Sequence, residues 1–295
     1  MTVKAPRIVR LWYALFTCLL LGFTLYVLLD AFVIERRYLA VQPRETASPP
    51  GDAVLAADCY QDDSLTITLS EHRYQGSTVH LAEIALTDPT RLQAAFARDA
   101  FGRNITERVA DTARRYGAIL AINGDYYGSQ RTGYVLRNGV IYRDEPRDAD
   151  QEDLVLWPDG SMTVVREGDV SAQALLEAGA WQVFCFGPTL VRDGEVAVGK
   201  HVEVGKAMAS NPRTAIAMIG PSHYLVAVAD GRTGERAGLS LYELAAFLQS
   251  QGAQLAYNLD GGGSSTMVFD GRVINFPTTR GWYNERAVSD IVYFR

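Results

Sequence analysis

The residues best suited to chemistry occupy positions 258–267 and read NLDGGGSSTM. Glycines that follow a strand let the backbone approach a ligand closely, and successive N–H groups can bind an anion. Ser264, Ser265 and Thr266 add hydroxyl donors, and Asp260 places a carboxylate beside them. Because such a carboxylate is costly without a partner or a function, the segment predicts a functional site. A flexible linker is the alternative, and the apolar strands on both sides argue against it.

A second segment repeats this arrangement. Residues 117–129 read GAILAINGDYYGS, and residues 252–264 read GAQLAYNLDGGGS. Each follows an amphipathic helix and continues through a short apolar strand into Asn-x-Asp. Because side chains alternate along a strand, Asn123 shares a face with Asp125, and Asn258 with Asp260. We predict a pseudo-symmetric pair of helix–strand units that deliver both pairs to one cleft. Coincidence is the alternative, since short helix–strand units are common.

Charged residues at two other predicted strand ends could complete the site. Arg213 lies in the sequence NPRT at 211–214, and an arginine can clamp a phosphate through two parallel hydrogen bonds. A surface turn with a salt bridge is the alternative for this spacing. Asp230 and Arg232 close the next strand and offer another charge pair, although by themselves they indicate only a turn.

The elements that must position these residues are mostly strands. Asn-Gly, Asp-Gly and Gly-Pro pairs between apolar runs predict five hairpins, with turns at 137–139, 158–160, 192–194, 220–222 and 270–271. So many hairpins indicate a largely antiparallel sheet. Two clear helices are predicted at about 105–116 and 241–251, and a shorter one at 171–177. Ser240 and Glu243 form a capping box, and Gly117 and Gly252 act as stops. The predicted fold class is therefore α+β.

Composition excludes some functions. The 295 residues are 48% hydrophobic and 21% charged, as in ordinary globular proteins. The net charge of −6 argues against nucleic-acid binding, which needs a basic face. The four histidines are scattered and no CxxC spacing occurs, so we expect neither a zinc site nor a cofactor.

One uncharged segment begins at Leu11 and ends at Leu29. At a rise of about 1.5 Å per residue it is just long enough to cross a hydrocarbon layer of about 30 Å. A cleaved signal peptide needs a shorter apolar core and a small-x-small site, which we do not find. We therefore expect an uncleaved single-pass anchor, with the following domain outside the cytoplasm, in the periplasm or at the cell surface. The flanking basic residues are nearly balanced and favour a cytoplasmic N-terminus only weakly.

These features divide the chain into three parts. Residues 1–40 are predicted to be a cytoplasmic tail and anchor, residues 41–58 a linker rich in proline, and residues 59–295 the catalytic domain. Cys18 lies in the predicted span. Cys59 and Cys185 lie in the domain, where they form either a disulfide or two small buried apolar groups.

Six segments, taken together, resemble the phosphodiester glycosidase family. They are NLDGGGSSTM at 258–267, NPRTAIAM at 211–218, INGDYY at 122–127, DGR at 230–232 followed by the helix SLYELAAFL, FGPTLVRDG at 186–194, and ERAVSDIV at 285–292. The similarity covers about residues 80–295. The family is often labelled exopolysaccharide-related in bacteria, and its founding activity removes N-acetylglucosamine from a phosphodiester to uncover mannose 6-phosphate.

The resemblance implies hydrolysis of a sugar-1-phosphodiester at the anomeric carbon. Such a site needs a cradle for the phosphate and a carboxylate that stabilises the carbon or activates water. Phosphate binding is assigned to Arg213 and the glycine-rich loop, with Arg286 as a weaker candidate. The loop comprises Gly261, Gly262, Gly263, Ser264 and Ser265. Asp260 is the first choice of carboxylate and Asp125 the second. Asn123 and Asn258 would orient the sugar hydroxyls or the carboxylates.

Some roles remain open at this level. The common family form is Asn-Gly-Gly-Phe-Phe, so Asp125 departs from it and is catalytic, substrate-orienting or specific to a subgroup. No metal is required, although Asp260, Asp125 and Asp230 could jointly hold a divalent ion. Two alternative functions are a non-catalytic glycan-binding protein of exopolysaccharide assembly and a phosphodiesterase that attacks phosphorus. The first would use the aromatic side chains of Tyr126, Tyr127, Trp282 and Tyr283.

Overall fold

The fold is taken from a computed structural model, which describes residues 7–42, 53–204, 210–234, 237–279 and 281–295. Residues 43–52, which include the prolines of the predicted linker, lie outside the described residues. The helices are α1 (Arg7–Phe32), α2 (Val109–Tyr116), α3 (Ala172–Glu177) and α4 (Leu241–Ser250). α1 is long and apolar enough to cross a membrane, and none of its residues is buried.

The described strands range from two to ten residues, and every pair among them is antiparallel. In chain order they are β1 (Arg36–Ala40), β2 (Val54–Leu55), β3 (Cys59–Gln61), β4 (Leu65–Tyr74), β5 (Ser77–Leu86), β6 (Leu92–Phe96), β7 (Ala100–Arg103), β8 (Leu120–Asn123), β9 (Val135–Arg137), β10 (Val140–Arg143), β11 (Glu152–Leu156), β12 (Met162–Arg166), β13 (Gln182–Phe184), β14 (Thr189–Arg192), β15 (Glu195–Val196), β16 (Arg213–Gly220), β17 (His223–Ala229), β18 (Leu255–Asn258), β19 (Met267–Phe269), β20 (Arg272–Val273), β21 (Thr278–Thr279), β22 (Trp282–Tyr283) and β23 (Asp290–Phe294).

Two sheets stack to form the main core. The larger has nine strands in the order β15-β14-β18-β16-β17-β5-β4-β3-β2, and the smaller has five in the order β20-β19-β8-β23-β6. Alternate residues of the central strands point into the space between them; Ile216 and Val226 come from one sheet, and Ile122 and Val292 from the other. α4 packs on the outer face of the larger sheet and α2 on the outer face of the smaller. The result is an arrangement of four layers, and the predicted α+β class with antiparallel sheet is confirmed.

A third sheet carries the middle of the chain. Its order is β10-β9-β13-β11-β12, and α3 packs against it. All five predicted hairpins are present: β9–β10, β11–β12, β14–β15, β16–β17 and β19–β20. Three of the turns work as expected, because both residues of the pair have positive φ: Asn138 (53°) with Gly139 (73°), Asp193 with Gly194, and Asp270 with Gly271. In the Asp159-Gly160 turn only Gly160 has positive φ, at 82°.

The helix ends follow their capping residues. The Ser240–Glu243 capping box is formed, Ser171 caps α3, and Gly117 ends α2 in the left-handed conformation with φ 61°. α2 begins later than predicted, at Val109. The preceding residues are extended because the backbone of Glu107 pairs with that of Val288.

Strands lie next to and within the predicted linker at 41–58. β1, at the end of the part predicted as the anchor, pairs with β7, and β2, inside the predicted linker, pairs with β3. The chain therefore enters the folded domain at Arg36. Cys59 and Cys185 are both free, so no disulfide joins them; Cys185 is buried as the second prediction requires, whereas Cys59 is only partly buried.

Candidate active site

The two Asn-x-Asp segments meet where the sheets join. Asn123, at the end of β8, is buried and donates from Nδ2 to the carbonyl oxygen of Asp260 at 2.6 Å. Its Oδ1 accepts from Thr214 Oγ1 at 2.9 Å and from the N–H of Thr266 at 3.3 Å. The N–H of Asp260 in turn donates to the carbonyl oxygen of Gly124 at 3.2 Å. Both strand ends therefore reach one place, as the pseudo-symmetric pair predicts, and Asn123 positions the backbone of Asp260.

The glycine-rich loop is a tight turn and not an open row of N–H groups. Gly261 donates to its neighbour Asp260 Oδ1 at 2.9 Å, and Gly262 donates to the carbonyl of Pro212 at 2.8 Å. The N–H groups of Ser264 and Ser265 also donate within the loop. Because these donors are occupied, anion binding here must rely more on side chains than the sequence predicts.

Two of the glycines make room for neighbouring side chains. A Cβ at Gly262, where φ is +63°, would lie 2.9 Å from Arg232 Nη2. A Cβ at Gly263 would lie 2.8 Å from Thr279 Oγ1 and close to the aliphatic stem of Arg286. Larger residues would displace these groups, so the glycines are needed for packing around the loop.

Asp260 stands in a polar cluster with an arginine and a hydroxyl. Arg286 Nη2 lies 3.1 Å from Asp260 Oδ2, and Arg286 Nε donates to Ser264 Oγ at 3.0 Å. The Asp260 side chain is 13% exposed, and that of Arg286 is 43% exposed. Burial raises the pKa of Asp260, and the charge of Arg286 opposes that shift. The cluster thus combines a carboxylate that accepts protons readily with a partly exposed cation.

This cluster lies at the edge of a cleft of about 570 Å³. Tyr126, Arg147, Phe186 and Pro188 are among the residues that line the cleft together with Asp260. Tyr126 is 40% exposed and has the left-handed φ of 69°, which is uncommon for an aromatic residue and tends to occur at functional sites. The cleft therefore offers an aromatic face together with the carboxylate, and its lining also holds one arginine, Arg147, and two further acids, Asp150 and Glu152.

Asp125 has a different environment from Asp260. It is fully buried and accepts hydrogen bonds from Arg137 Nη2 at 2.8 Å, the N–H of Cys185 at 2.8 Å and the N–H of Tyr127 at 3.2 Å. Arg137 also donates to Asp290 Oδ2, from Nε at 3.1 Å and from Nη2 at 2.9 Å. One buried guanidinium thus bridges two buried carboxylates. Asp125 is held inside the fold, so the prediction that both Asn-x-Asp segments deliver a carboxylate to one cleft holds for Asp260 and is wrong for Asp125.

Asp290 connects this buried triad to the cleft carboxylate. Asp290 and Asp260 both line a small cavity of about 20 Å³, which is large enough for one water molecule. Asp290 Oδ1 is buried and has no hydrogen-bond partner among the described residues. Burial and the nearby charge of Asp125 raise the pKa of Asp290 to about 7, although Arg137 acts in the opposite direction. Asp290 can therefore exchange a proton near neutral pH.

The other predicted site residues support the loop from behind. Arg213 is buried, and its guanidinium donates to the carbonyl of Leu239 and pairs with Glu203. Arg232 donates to Asn211 Oδ1 at 3.0 and 2.8 Å. The guanidinium of Arg213 is thus held by groups other than Asp260, whereas Arg232 lies against Gly262.

Asp230 and Asn258 are also structural in position. Asp230 Oδ1 accepts from the N–H of Phe276 at 2.8 Å, and its Oδ2 lies 3.3 Å from His80 Nε2. Asn258 Nδ2 donates to the carbonyl of Gly187 at 2.8 Å, which fixes one wall of the cleft. Among the four aromatic residues named from sequence, Tyr127 is buried, Trp282 and Tyr283 are exposed, and Tyr126 lines the cleft.

The three carboxylates considered for a divalent ion, those of Asp260, Asp125 and Asp230, have separate partners. Among the described residues, the group whose ligand atoms come within 4.8 Å of one another is Asp153, Glu167 and Cys185. Burial and the charge of Glu167 raise the pKa of Asp153 to about 9, so Asp153 is protonated at neutral pH. Glu167 in this group accepts hydrogen bonds from the backbone N–H groups of Tyr134 and Asp148.

Sequence reasoning missed Arg137, Asp290 and Arg147. Arg137 was assigned only to a hairpin turn. Asp290 is part of the motif ERAVSDIV, but sequence reasoning assigned it no function. A charged residue in an otherwise apolar strand, as Asp290 is in SDIVYF, was the available signal, because a buried charge requires a partner.

The stacked sheets define an α+β class of protein that is known from solved structures. The catalytic domain of zebrafish N-acetylglucosamine-1-phosphodiester alpha-N-acetylglucosaminidase, auto-inhibited by its pro-peptide, aligns with 78% of this chain and 82% of its own length, at a TM-score of 0.62 and 23% identity. A hypothetical protein from Synechocystis aligns with 79% of this chain and 62% of its own, at a TM-score of 0.60 and 15% identity. At these identities the likeness establishes the fold alone.

The sequence comparison establishes the family. The family model described as phosphodiester glycosidase matches residues 116–295, which is more than half of the chain. This protein therefore belongs to the phosphodiester glycosidase family, and the resemblance found in its motifs is confirmed.

Two relatives show how far the similarity extends. The SPbeta prophage-derived uncharacterized protein YomE of Bacillus subtilis is 30% identical over 179 residues, which are 59% of this chain and 28% of YomE. Mouse N-acetylglucosamine-1-phosphodiester alpha-N-acetylglucosaminidase is 39% identical over 84 residues, which are 27% of this chain and 16% of the mouse protein. The aligned segments thus span less than a third of either relative.

Proposed function

We propose that this protein hydrolyses the glycosyl bond of a sugar-1-phosphodiester in an extracytoplasmic glycan or polysaccharide. The observation that carries the proposal is the cluster of Asp260, Arg286 and Ser264 at the edge of the cleft. It combines the two groups that such a reaction needs, a carboxylate for the sugar carbon and a cation for the phosphate. Family membership supports the same reaction class.

The phosphate side of the substrate is assigned to Arg286. Its guanidinium is partly exposed and already holds Ser264 Oγ, so it can present further N–H donors to phosphate oxygens. Arg232, packed against Gly262, adds positive charge behind the loop. Arg213 has a supporting role in this scheme, because its guanidinium pairs with Glu203.

Asp260 is assigned to the sugar side. Water attacks the anomeric carbon and loses a proton to Asp260, while the bond from that carbon to the phosphate oxygen breaks. The phosphomonoester leaves with the bonding electrons, and because it is a weak base it needs little help from a general acid. Asp290, across the small cavity, can take the proton onward through a water molecule.

The location of the reaction follows from α1. This helix has 26 residues with no buried side chain and is uncharged from Leu11 to Leu29, so we propose that it anchors the chain in a membrane. The domain that follows from Arg36 would then act outside the cytoplasm. Placement on an exopolysaccharide rests on the family's bacterial context alone.

Hydrolysis in ¹⁸O-labelled water tests this function. A panel of sugar-1-phosphodiesters is incubated with the full-length chain, and the products are analysed by mass spectrometry. Cleavage with label in the released sugar is the expected result, because water attacks carbon. Label in the phosphate would mean a phosphodiesterase. Binding of the panel without turnover would mean a glycan-binding protein. The Asp260→Asn variant, which lacks the carboxylate assigned to the reaction, is the matched control for background hydrolysis.

A further inference from the structure

A second pocket lies where α1 joins the domain. Its volume is about 750 Å³, and it shares only Gln130 with the lining of the cleft beside Asp260. Four arginines contribute to its walls: Arg36, Arg103, Arg131 and Arg143. Nothing in the proposed hydrolysis uses this pocket.

The pocket is fixed relative to the helix. Three residues, 33–35, join α1 to β1, which pairs with β7 of the domain. Asn104 Nδ2 donates to the carbonyl of Ile34 at 3.0 Å and to that of Asp30 at 3.3 Å. Arg98 and Glu35 form an ion pair at 2.8 Å beside this junction. The end of the helix and the pocket therefore move as one unit.

The charge pattern of the helix indicates where the pocket lies relative to the membrane. The uncharged run ends at Leu29, and Asp30, which lines the pocket, is the first charged residue after it. If the run spans the hydrocarbon layer, Asp30 enters the headgroup layer, which is about 5–7 Å thick on each side. Phe32 (77% exposed), Val33 and Leu39 form an apolar surface beside it, which a membrane interface would cover.

The lining of the pocket carries more positive than negative charge. The four arginines face three acidic residues, Asp30, Asp144 and Glu145. The Asp30 carboxylate pairs with two of the arginines: Arg36 Nε lies 2.8 Å from Oδ1, and Arg103 Nη1 lies 3.9 Å from Oδ2. Arg103 Nε is buried and has no hydrogen-bond partner among the described residues. A planar guanidinium with an unused donor matches the oxygens of a phosphate group.

We propose that this pocket binds the phosphate group of an anionic membrane lipid headgroup. The inference rests on α1 spanning the bilayer and is independent of the chemistry at Asp260. A bound lipid would hold the domain against the membrane surface and fix the direction in which the neighbouring cleft opens. Tyr38 and Tyr142, which also line the pocket, can contact the glycerol part of the headgroup.

Lipid titration of the full-length chain in neutral detergent tests the proposal. The probe is dioctanoyl phosphatidylglycerol, and binding is measured by native mass spectrometry. We expect one saturable site per chain and weaker binding of the zwitterionic dioctanoyl phosphatidylcholine. Arg131→Glu, at an exposed position that folding does not depend on, should weaken phosphatidylglycerol binding by about tenfold or more. Arg114→Glu, on the exposed surface of α2, is the matched control and should bind like the unchanged chain.

Three results would overturn the proposal. Equal lipid affinity of the Arg131→Glu and Arg114→Glu variants would remove the pocket from the binding site. Displacement of the lipid by an equal concentration of inorganic phosphate would mean a site for free anions. Release of the chain from liposomes by alkaline carbonate would place α1 outside the bilayer. Hydrolysis of a soluble sugar-1-phosphodiester by the Arg131→Glu variant should remain unchanged, so this test and the test of the proposed function fail separately.

Discussion

Two regions of this protein begin with nearly the same sequence and end with opposite environments for their carboxylates. In the first, α2 and β8 lead to Asp125, which is buried and bound by Arg137. In the second, α4 and β18 lead to Asp260, which lies at the edge of the cleft beside Arg286. The strands run into the same junction, so local structure alone does not decide which acid meets a substrate.

The residues after each Asp account for the difference. Tyr127 is buried between Phe96 and Phe101, with ring centroids 5.1 and 5.3 Å away, and this packing closes the first segment. At the position that corresponds to Tyr127, Gly262 has no side chain and leaves space for the guanidinium of Arg232 beside the loop. A repeated framework can therefore support structure on one side and chemistry on the other.

Breaking the buried triad should have the largest effect on stability. Arg137→Met leaves the carboxylates of Asp125 and Asp290 buried without their cation, so we expect a loss of about 3–5 kcal/mol in the free energy of unfolding. Chemical denaturation of the full-length chain in neutral detergent measures this loss. Arg114→Met, on the exposed surface of α2, is the control and should stay within about 0.5 kcal/mol. Stability of Arg137→Met close to that of the unchanged chain would refute a structural role for the triad.

A conservative substitution of Arg286 tests whether the second region binds the phosphate. Arg286→Lys keeps the charge but removes the fork that reaches both Ser264 and Asp260. We expect kcat/KM for a sugar-1-phosphodiester to fall by about 10–100-fold with little change in stability, because Arg286 is partly exposed. Steady-state kinetics beside an Arg114→Lys control measure this effect. Full activity of Arg286→Lys would place the phosphate elsewhere.

The pH dependence of stability should report on the link between the regions. The pKa of Asp290 is raised to about 7, so the folded state holds this proton more tightly than the unfolded state does. Stability from this group is present at low pH and declines as pH rises from about 4 through 7, by up to about 1.4 kcal/mol per pH unit. The measurement compares unfolding free energies of the unchanged chain and Asp290→Asn from pH 4 to 8. Identical slopes for the two proteins would show that Asp290 ionises normally.

Features set by neighbouring residues could be predicted from the sequence. The Asn138-Gly139 hairpin and the capping box at Ser240 were predicted because their geometry depends on a few adjacent positions. The meeting of Asn123 with Asp260 was predicted because both strand ends carried the same signal.

Contacts between distant parts of the chain could not be predicted in the same way. Arg137 and Asp290 are 153 positions apart, and nothing local marks them as partners. Arg213 was assigned to phosphate because sequence does not show that Glu203 and the Leu239 carbonyl occupy its guanidinium. The glycine-rich loop was predicted to offer free N–H groups, and only the folded structure shows that acceptors such as Pro212 use them.

A comparison of Asp260→Asn with Asp125→Asn tests the central claim most directly. Each variant is assayed for kcat/KM on one sugar-1-phosphodiester and for its unfolding free energy. The account predicts that Asp260→Asn loses about 10³-fold in activity at nearly unchanged stability, because the change removes a proton acceptor from the cleft edge. It predicts that Asp125→Asn loses stability while the folded fraction keeps most of its activity. An active Asp260→Asn enzyme together with a stable, inactive Asp125→Asn enzyme would contradict the account.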